Sequence, residues 1–376
     1  MVAELWLIVE LTSSGTALGL HSVFRFGPIL FFGVFTGVLG DRMDRRRILL
    51  VTQALHAAAT TTLAVIVWMT TPTLALVYGI ILTQGLINAV DNPVRRSFIR
   101  DLTTDDEISN AVSLHNTVGT LTRAIGPAIA GLLISGLGVE WCFTINAATY
   151  VAVLVSLVSI DRRNLRPSVP VPRGSGQLRA GVRYAWTHRP IRVTLGLTFL
   201  MAVFAWQWSV ILPVYARDEF LGDATLFGLL VSTLSVGSVF GAFLSAKQLR
   251  LGGRHLRIAG AALALGLGVS ALAPHLSVAL VGLLLVGAAG SAFNIGAQSR
   301  IQLAVEDSMT SRVMSLYSVG FTGAKPIGGM LAGVAIDSWG SRQAFGLGAV
   351  VTAASIGLYG LAKRSDARDR STSGVL

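Results

Sequence analysis

Long apolar runs, separated by short polar or glycine-containing segments, recur along the whole 376-residue chain. Most of these runs approach or exceed the ~20 residues that an α-helix needs to cross a hydrocarbon core about 30 Å thick. Because the bilayer interior offers the backbone no water, such runs are expected to be helical. The pattern predicts an all-α integral membrane protein with twelve segments, at 1–12, 18–40, 48–69, 73–93, 108–136, 141–160, 192–214, 224–246, 256–274, 277–297, 311–337 and 343–362.

The first segment, residues 1–12, is shorter than the others. At 1.5 Å per residue it spans roughly 18 Å, which is well short of the hydrocarbon core. It carries no basic n-region and no small-residue cleavage site, so it does not have the pattern of a signal peptide. We therefore expect helix 1 to be truncated.

A stretch of different composition, residues 161–191, interrupts the apolar pattern. It begins with a charged cluster and continues through three prolines and a Gly-Ser-Gly sequence. Leu178, Val182 and Ala185 then recur at helical spacing, which predicts a short amphipathic helix on the membrane surface. A regulatory docking site is the alternative interpretation. The predicted parts are a six-helix bundle (1–160), a cytoplasmic linker (161–191), a second six-helix bundle (192–362) and a polar cytoplasmic tail (363–376).

An internal repeat supports the division into two bundles. The sequence Ala111–Leu114 (AVSL) corresponds to Val313–Leu316 (VMSL), at an offset of 202 residues. The same offset relates two further glycine pairs, Gly131 with Gly333 and Gly138 with Gly340. Helices 5 and 11 are therefore counterparts, and the bundles are expected to be related by a pseudo-twofold axis.

The charged residues are few and unevenly placed. They make up 13% of the chain, against about 25% in soluble proteins. Of the 30 lysines and arginines, 25 follow even-numbered helices, whereas only Arg217 and Arg342 lie in the loops on the other side. The expected location is the inner (plasma) membrane. The positive-inside rule then places the C-terminus and the loops that follow even-numbered helices in the cytoplasm. The net charge of +11 is therefore explained by basic loops that contact the anionic inner leaflet. No nucleic-acid partner is expected.

Several classes of function have no support in the sequence. The single cysteine, Cys142, excludes an internal disulfide and a cysteine metal cluster. We find no metal-ligand spacing, P-loop, dinucleotide fingerprint or nucleophile elbow. The prediction is a protein without a metal or cofactor, and not an enzyme.

A polar loop between two apolar runs carries the most specific motif. Residues 37–47 read GVLGDRMDRRR, which fits G-x-x-x-D-R-x-x-R-R. This pattern resembles the loop between helices 2 and 3 of the major facilitator superfamily, although Asp44 stands where many relatives have glycine. Further segments resemble the enterobactin (siderophore) exporter and macrolide efflux subgroup of drug:proton antiporters: Trp6–Ser13 (WLIVELTS), Asn88–Pro93 (NAVDNP), Gly126-Pro127 with Gly131, Cys142-Phe143 with Asn146-Ala147, and Ile211–Pro213 (ILP).

The resemblance implies a proton-driven exporter with a central cavity between two six-helix halves. It also implies that Ala3–Thr12 is the outer half of helix 1, with the inner half encoded upstream of Met1. The helix 5 glycines and proline would form an exporter motif, namely Gly126, Pro127 and Gly131. The helix 2–3 loop would act as a conformational latch through Gly37, Asp41, Arg42 and Arg45, with Asp91 as a further partner. The alternative is that the arginines only anchor the loop at the inner leaflet.

Proton coupling needs a carboxylate or histidine that can be neutralised inside the membrane. The best candidates are Glu4 and Asp91. His21 and His56 are weaker candidates, because histidines in apolar helices are more often packed and hydrogen-bonded. Glu10 lies near the outer end of helix 1 and is expected to face water.

Two cations are predicted near the membrane midplane, Arg123 in helix 5 and Lys325 in helix 11. Each ends a polar stripe at i, i+4 and i+7, formed by Asn116 and Thr120 in one half and by Ser318 and Thr322 in the other. We expect both stripes to face the cavity and to hold an anionic substrate. The alternative is that each cation pairs with a carboxylate or with helix carbonyls and supports packing.

Helices 7 and 10 add further substrate-binding candidates. Trp206 and Trp208 flank Gln207 and would offer a stacking surface if Gln207 faces the cavity; lipid contact or packing is the alternative. Asn294 and Gln298 lie near the inner end of helix 10. The favoured function is a monomeric secondary exporter of a small amphipathic, siderophore-like compound. A macrolide or multidrug pump, or a non-transporting module that kept the fold, are the alternatives.

Overall fold

The structure is a computed structural model that describes residues 1–42, 44–104, 106–161, 165, 177–246 and 252–372. The first half contains α1 to α6, which span Val2–Leu11, Gly15–Arg42, Arg45–Met69, Leu74–Asp101, Ile108–Leu137 and Val139–Ser159. The linker contains α7 (Gln177–Thr187). The second half contains α8 to α14, which span Arg189–Phe204, Trp208–Val214, Ala224–Ala246, Gly253–Leu272, Leu276–Ala304, Asp307–Trp339 and Ser341–Thr372.

The described part of the chain is helical and holds ten helices that are long and apolar enough to cross a membrane. The predicted all-α membrane fold is therefore confirmed. One predicted segment, 192–214, is not a single α-helix. It is interrupted between Phe204 and Trp208, and after α9 it continues as a π-helical turn, Tyr215–Glu219.

Local sequence signals account for several helix ends. Asp44 caps α3, because its carboxylate accepts hydrogen bonds from the backbone N–H groups of Arg46 (3.0 Å) and Arg47 (3.3 Å). Gly138 and Gly340 separate α5 from α6 and α13 from α14, with φ of +101° and +97°. A side chain would be strained at either position, so the two repeat-related glycines make equivalent turns.

The linker helix α7 packs on α13 of the second half, and the contact of its apolar face with the membrane surface stays a prediction. Ala185 is buried, but Val182 is 43% exposed, and the side chain of Leu178 lies outside the described set. Gly181 instead lies against Arg312 of α13, where a Cβ would come within 3.0 Å of the Arg312 Cβ. The buried face is therefore the one with the smallest side chains, since these allow close packing on α13.

The two halves meet chiefly through two helix pairs, α2 with α13 and α5 with α10, and α9 of the second half also contacts α1 and α2. We call the end of the molecule at the Leu137–Val139 and Trp339–Ser341 turns the far side, and the opposite end, where α3 and α5 begin, the basic side. At the far side, a Cβ on Gly333 would lie 2.5 Å from the Gly15 carbonyl, and one on Gly131 would lie 2.5 Å from the Ala224 carbonyl. Backbones can approach this closely only where there is no side chain, so glycines close the far side.

The basic side is open. Residues 112–118 of α5 are all exposed, as are 121–123. A helix that is exposed all round has no protein neighbour at that level. Among the residues whose surroundings the structure describes, the start of α5 thus has no neighbour in the second half, whereas the halves are joined at the far side.

Asp223 strengthens the far-side contact at the start of α10. Its carboxylate accepts a 3.1 Å hydrogen bond from the Leu226 N–H, and the neighbouring Thr225 N–H donates to Ser135 Oγ of α5 at 3.1 Å. The pKa of the Asp223 carboxyl is lowered. Its slight burial acts in the opposite direction, but hydrogen bonds to Leu226, Ser135 and Thr225 outweigh it.

Candidate functional site in the central cavity

A cavity of about 1390 Å³ lies between the halves. Its walls come from α1 and α3 to α6 in the first half, and from α9, α10, α12, α13 and the interruption before α9 in the second. Because the described start of α5 has no neighbour in the second half, the cavity opens toward the basic side. It is large enough for a drug-sized solute.

Two arginines of the first half supply the positive charge on the cavity wall. Arg123 is exposed to the cavity, and its Nη2 lies 3.4 Å from Thr120 Oγ1 on the same helix. Arg96 of α4 also lines the wall. Arg123 and Thr120 were both predicted from the polar stripe; Arg96 was not, because it resembles an anchoring residue at a helix end.

The second half contributes amides and hydroxyls. Asn294 and Gln298 line the cavity and pair with each other, with Gln298 Nε2 donating to Asn294 Oδ1 at 2.5 Å. Thr322 and Ser318 line the facing helix α13. Asn116 is exposed in the open part of α5, toward the basic side of the lined region.

Lys325 does not take the place expected from its repeat partner Arg123. Its ammonium lies 4.6 Å from the centroid of the Phe26 ring, on the side of α13 that packs against α2. This distance is within the range of a cation–π interaction. The offset of 202 residues is preserved in the fold, but the two cations have different surroundings.

Gln207 also lies off the cavity wall. It is 2% exposed, and its Nε2 donates a 2.7 Å hydrogen bond to the carbonyl of Ala202. The interruption before α9 frees carbonyls of the last turn of α8, and the Gln207 amide binds one of them. This side chain therefore stabilises the interruption, while Trp206 and Trp208 on either side line the cavity.

Trp206 lies in a cluster of aromatic rings. Its centroid is 5.6 Å from that of Phe321 with the rings nearly perpendicular, 5.8 Å from Trp208 and 6.2 Å from Phe293. Edge-on contacts at these distances are favourable for aromatic pairs. The cluster forms an apolar wall on the opposite half of the protein from Arg123.

A charged cluster is buried between α1, α2 and α4. Glu4 is 4% exposed; its Oε2 lies 3.2 Å from His21 Nε2, and its Oε1 lies 3.6 Å from Arg25 Nη1. Arg25 also donates a hydrogen bond to Gln84 Oε1. Glu4 and Gln84 both line the cavity, so this cluster places an ionisable carboxylate at the boundary between the cavity and the protein interior.

Asp91, the other predicted proton-coupling residue, is 2% exposed and lies in α4. It accepts hydrogen bonds from Thr52 Oγ1 (2.7 Å) and Gln53 Nε2 (2.8 Å) of α3, and from Arg95 Nε (2.9 Å) and Nη2 (2.7 Å). These four bonds fix the Asp91 carboxylate between α3 and Arg95 of its own helix. The environment therefore fits a structural ion pair within the first half.

Two further titratable side chains considered from the sequence, His56 and Glu10, do not line the cavity. The His56 ring stacks on Tyr150 at 5.4 Å, and Glu10 is exposed near the end of α1. Both observations agree with the packed histidine and the water-facing carboxylate described above.

The predicted latch residues lie at the basic side. Gly37, Asp41 and Arg42 form the last turns of α2, and their surroundings lie outside the part of the chain that the structure describes. Arg45 begins α3, and its Nη1 donates a 2.6 Å hydrogen bond to Asp101 Oδ1 at the end of α4. Asp101 was not singled out in the sequence, since nothing in its spacing connects it to this loop.

The predicted exporter motif lies where α5 crosses α10. Gly126 and Pro127 line the cavity, and Gly131 is buried. A Cβ on Gly228 of α10 would collide with the Pro127 carbonyl. The motif therefore connects the cavity wall to the far-side contact of the two halves.

Arg25, His21 and Gln84 form the part of the site that sequence reasoning did not assemble. Arg25 is 4 residues from His21 on α2, but 59 residues from Gln84 on α4. The available signal was Arg25, an arginine inside a predicted membrane span, which must find a partner there.

Comparison with known proteins identifies the family. The model of the transmembrane secretion effector family matches residues 1–372. The staphyloferrin A transporter of Staphylococcus aureus is 21% identical over 354 residues, covering 92% of this chain and 87% of the relative. The multidrug efflux pump Tap of Mycolicibacterium fortuitum is 24% identical over 372 residues, with the same coverage. Macrolide efflux protein A of Streptococcus pyogenes is 21% identical, covering 92% of this chain and 86% of the relative.

Solved structures share the fold at low sequence identity. The nucleoside transporter NupG aligns with a TM-score of 0.76 at 12% identity, over 94% of this chain and 92% of that one. An inward-facing, unoccupied bacterial homologue of the lysosomal transporter Spinster aligns with a TM-score of 0.73 at 15% identity, over 98% and 95%. This chain therefore belongs to the transmembrane secretion effector family of the major facilitator superfamily. It is a multi-pass membrane transporter rather than an enzyme, and its predicted relation to siderophore and macrolide exporters is confirmed.

Proposed function

We propose that this protein exports a small, amphipathic, anionic compound from the basic side to the far side in exchange for protons. The observation that carries the proposal is the cavity itself. It opens toward the basic side, presents Arg123 and Arg96 on one half and aromatic rings on the other, and has the buried Glu4 cluster in its wall.

The charges of the cavity favour an anion. Among the described residues that line it, Glu4 is the one acidic side chain, and its carboxylate faces His21 and Arg25. Arg123 is exposed to the cavity, and the described contacts give it only a neutral hydroxyl, that of Thr120, as a partner. A carboxylate or similar group of the substrate would bind this guanidinium through charge-assisted hydrogen bonds.

The Glu4 cluster supports coupling to protons. Protonation of Glu4 would leave His21 and Arg25 without their carboxylate and so change the charge balance of α1, α2 and α4. Because α2 packs on α13 across the halves, such a change can bias the contact that closes the far side. A proton that reaches Glu4 from the far side would thereby favour closure of the far side. Alternating access requires such a link between protonation and conformation.

The sidedness of this scheme rests on the basic loops. We infer that the basic side is cytoplasmic and that the C-terminus shares that compartment. A Leu221→Cys variant without Cys142 tests it, because Leu221 is 90% exposed at the far side. An impermeant thiol reagent should label it in intact cells but should not label Ser371→Cys. The reverse pattern would reject the orientation.

Efflux of neutral drugs is a second candidate function. The aromatic cluster around Trp206 and the size of the cavity favour it, and relatives named as multidrug and macrolide pumps are consistent with it. The charge of the ligand distinguishes the two candidates, since only an anionic substrate depends on Arg123.

Transport in proteoliposomes tests the proposal. With the lumen acidified, addition of 2-naphthoate on the basic side should release the pH gradient, as followed by a lumenal pH dye. Arg123→Gln should abolish the response, whereas Arg183→Gln, an exposed arginine on α7, should retain it. A response only to neutral macrolides, unchanged in Arg123→Gln, would reject the anion and favour drug efflux.

A further inference from the structure

The interruption between α8 and α9 has a specific effect on one side chain. Ala205 and Gln207 are 1% and 2% exposed, whereas Trp206 between them is partly exposed and lines the cavity. At the interruption the Trp206 indole faces the cavity while both of its chain neighbours stay buried, and Trp208 faces the cavity as well.

The interrupted backbone is held from two directions. Gln207 Nε2 donates to the Ala202 carbonyl at 2.7 Å, which supplies a partner that the helix has lost. On the neighbouring helix α13, Gly328 leaves room for both Gln207 and the Val203 carbonyl, which a Cβ would strike. The position of Trp206 is therefore fixed by contacts on its buried side and does not depend on a ligand.

The indole lies over a surface that has no side chain. A Cβ on Gly290 of α12 would lie 3.4 Å from Trp206 Cζ2, and Gly290 itself lines the cavity. Phe321 contacts the indole edge-on at 76°. The result is a recess with aromatic walls and a glycine base.

The polar atom of this ring is available to a ligand. The indole N–H of Trp206 donates no hydrogen bond within the part of the chain that the structure describes, and it is not fully buried. Trp208, which also lines the cavity, is equally without a donor contact there. Because Trp206 lines the cavity and its N–H has no partner among the described residues, this N–H can donate a hydrogen bond to a bound molecule that carries an acceptor beside its ring.

We propose that Trp206 is a stacking site for a flat aryl group, and that the cavity therefore takes aryl carboxylates, with the ring at Trp206 and the carboxylate at Arg123. This inference rests on the proposed function, because it assigns the second binding element of the same substrate. The two residues lie on opposite halves of the protein, so one bound molecule of this class contacts both halves at once. The binding of such a molecule therefore depends on how the two halves are arranged relative to each other.

A pair of ligands that differ only in flatness tests the proposal. 2-Naphthoate and decahydro-2-naphthoate carry the same carboxylate and carbon skeleton, but only the first is planar and aromatic. Binding of each to the purified protein in nanodiscs is measured by equilibrium dialysis, with empty nanodiscs as the blank. The wild-type protein should bind 2-naphthoate at least fivefold more tightly, in accord with the strength of aromatic pairs.

Variants then separate the ring site from the carboxylate site. Trp206→Leu should bring the ratio of the two affinities to about one, Trp206→Phe should retain most of the preference, and Trp186→Leu, an exposed tryptophan on the linker helix, should leave it unchanged. Arg123→Gln should weaken both ligands equally. A wild-type ratio near one, or an unchanged ratio in Trp206→Leu, would overturn the aryl site. If Arg123→Gln changed neither affinity, the anionic substrate itself would be rejected.

Discussion

Asp337, at the end of α13, accepts a 2.9 Å hydrogen bond from the backbone N–H of Thr16 at the start of α2. The neighbouring Gly15 N–H and Ser14 hydroxyl donate to the same carboxylate at 2.5 and 2.9 Å. A carboxylate of the second half thus caps the N-terminus of a helix in the first half. At the offset of 202 residues its counterpart is Ser135, which accepts from the Thr225 N–H at the start of α10. The far side is closed by two equivalent caps, of which one is charged.

Removing the charged cap should open the far side more often. Asp337→Ala loses contacts that are worth about 1–2 kcal/mol for a helix N-terminus, which corresponds to about a 5- to 30-fold change in the ratio of the two conformations. Spin labels on cysteines at Thr71 and His275, in far-side loops of opposite halves, would report a longer distance in double electron–electron resonance. The control is Glu219→Ala, which at the same side loses contacts only to Ser341 and Arg342 of its own half. Identical distance distributions in all three proteins would refute the capping account.

Arg123 and Lys325 should differ despite their equivalent positions in the repeat. Loss of the Arg123 charge should weaken binding of a carboxylate about tenfold or more, because hydrogen bonds to charged groups contribute about 1.5–3 kcal/mol. Lys325 faces Phe26, so Lys325→Gln should change the affinity less than about threefold while lowering the thermal stability. Equilibrium dialysis and thermal unfolding measure the two effects. Equal losses of affinity in both variants would contradict this difference and would indicate that Lys325 also binds the substrate.

The helix 2–3 loop offers a matched pair of carboxylates. Asp44 caps α3, and asparagine caps a helix about as well, so Asp44→Asn should transport normally. Asp41→Asn should transport slowly yet unfold at the wild-type temperature, because we expect the Asp41–Arg45 pair to hold the helix 2–3 loop in the shape that contacts the second half in the opposite conformation. The lost pair would shift that equilibrium by about 1–3 kcal/mol. A wild-type transport rate in Asp41→Asn would reject the hypothesis of a charge-based latch.

The helices and the repeat could be read from the sequence, because apolar length and glycine–proline placement depend on local chemistry. The orientation of Lys325 could not. The stripe Ser318, Thr322 and Lys325 has ideal helical spacing, but packing of α13 on α2 decides which of the three the cavity reaches. Sequence spacing within one helix does not contain that information.

The interruption before α9 also could not be predicted from the sequence. No glycine or proline occurs at Ala205–Gln207, and the feature that permits it, Gly328, lies more than 100 residues further along the chain. The Glu4 cluster combines three helices in the same way. Sites that are assembled from several helices depend on tertiary packing, which a single sequence does not reveal.

The coupling of export to protons through Glu4 is the central claim, and one comparison tests it most directly. Glu4→Gln removes the ionisable proton but keeps a polar side chain beside His21 and Arg25. In proteoliposomes this variant should still exchange labelled for unlabelled 2-naphthoate across the membrane at equal pH, which needs no proton movement. It should fail to accumulate the label when a pH gradient is imposed. Accumulation at the wild-type level in Glu4→Gln would contradict the account.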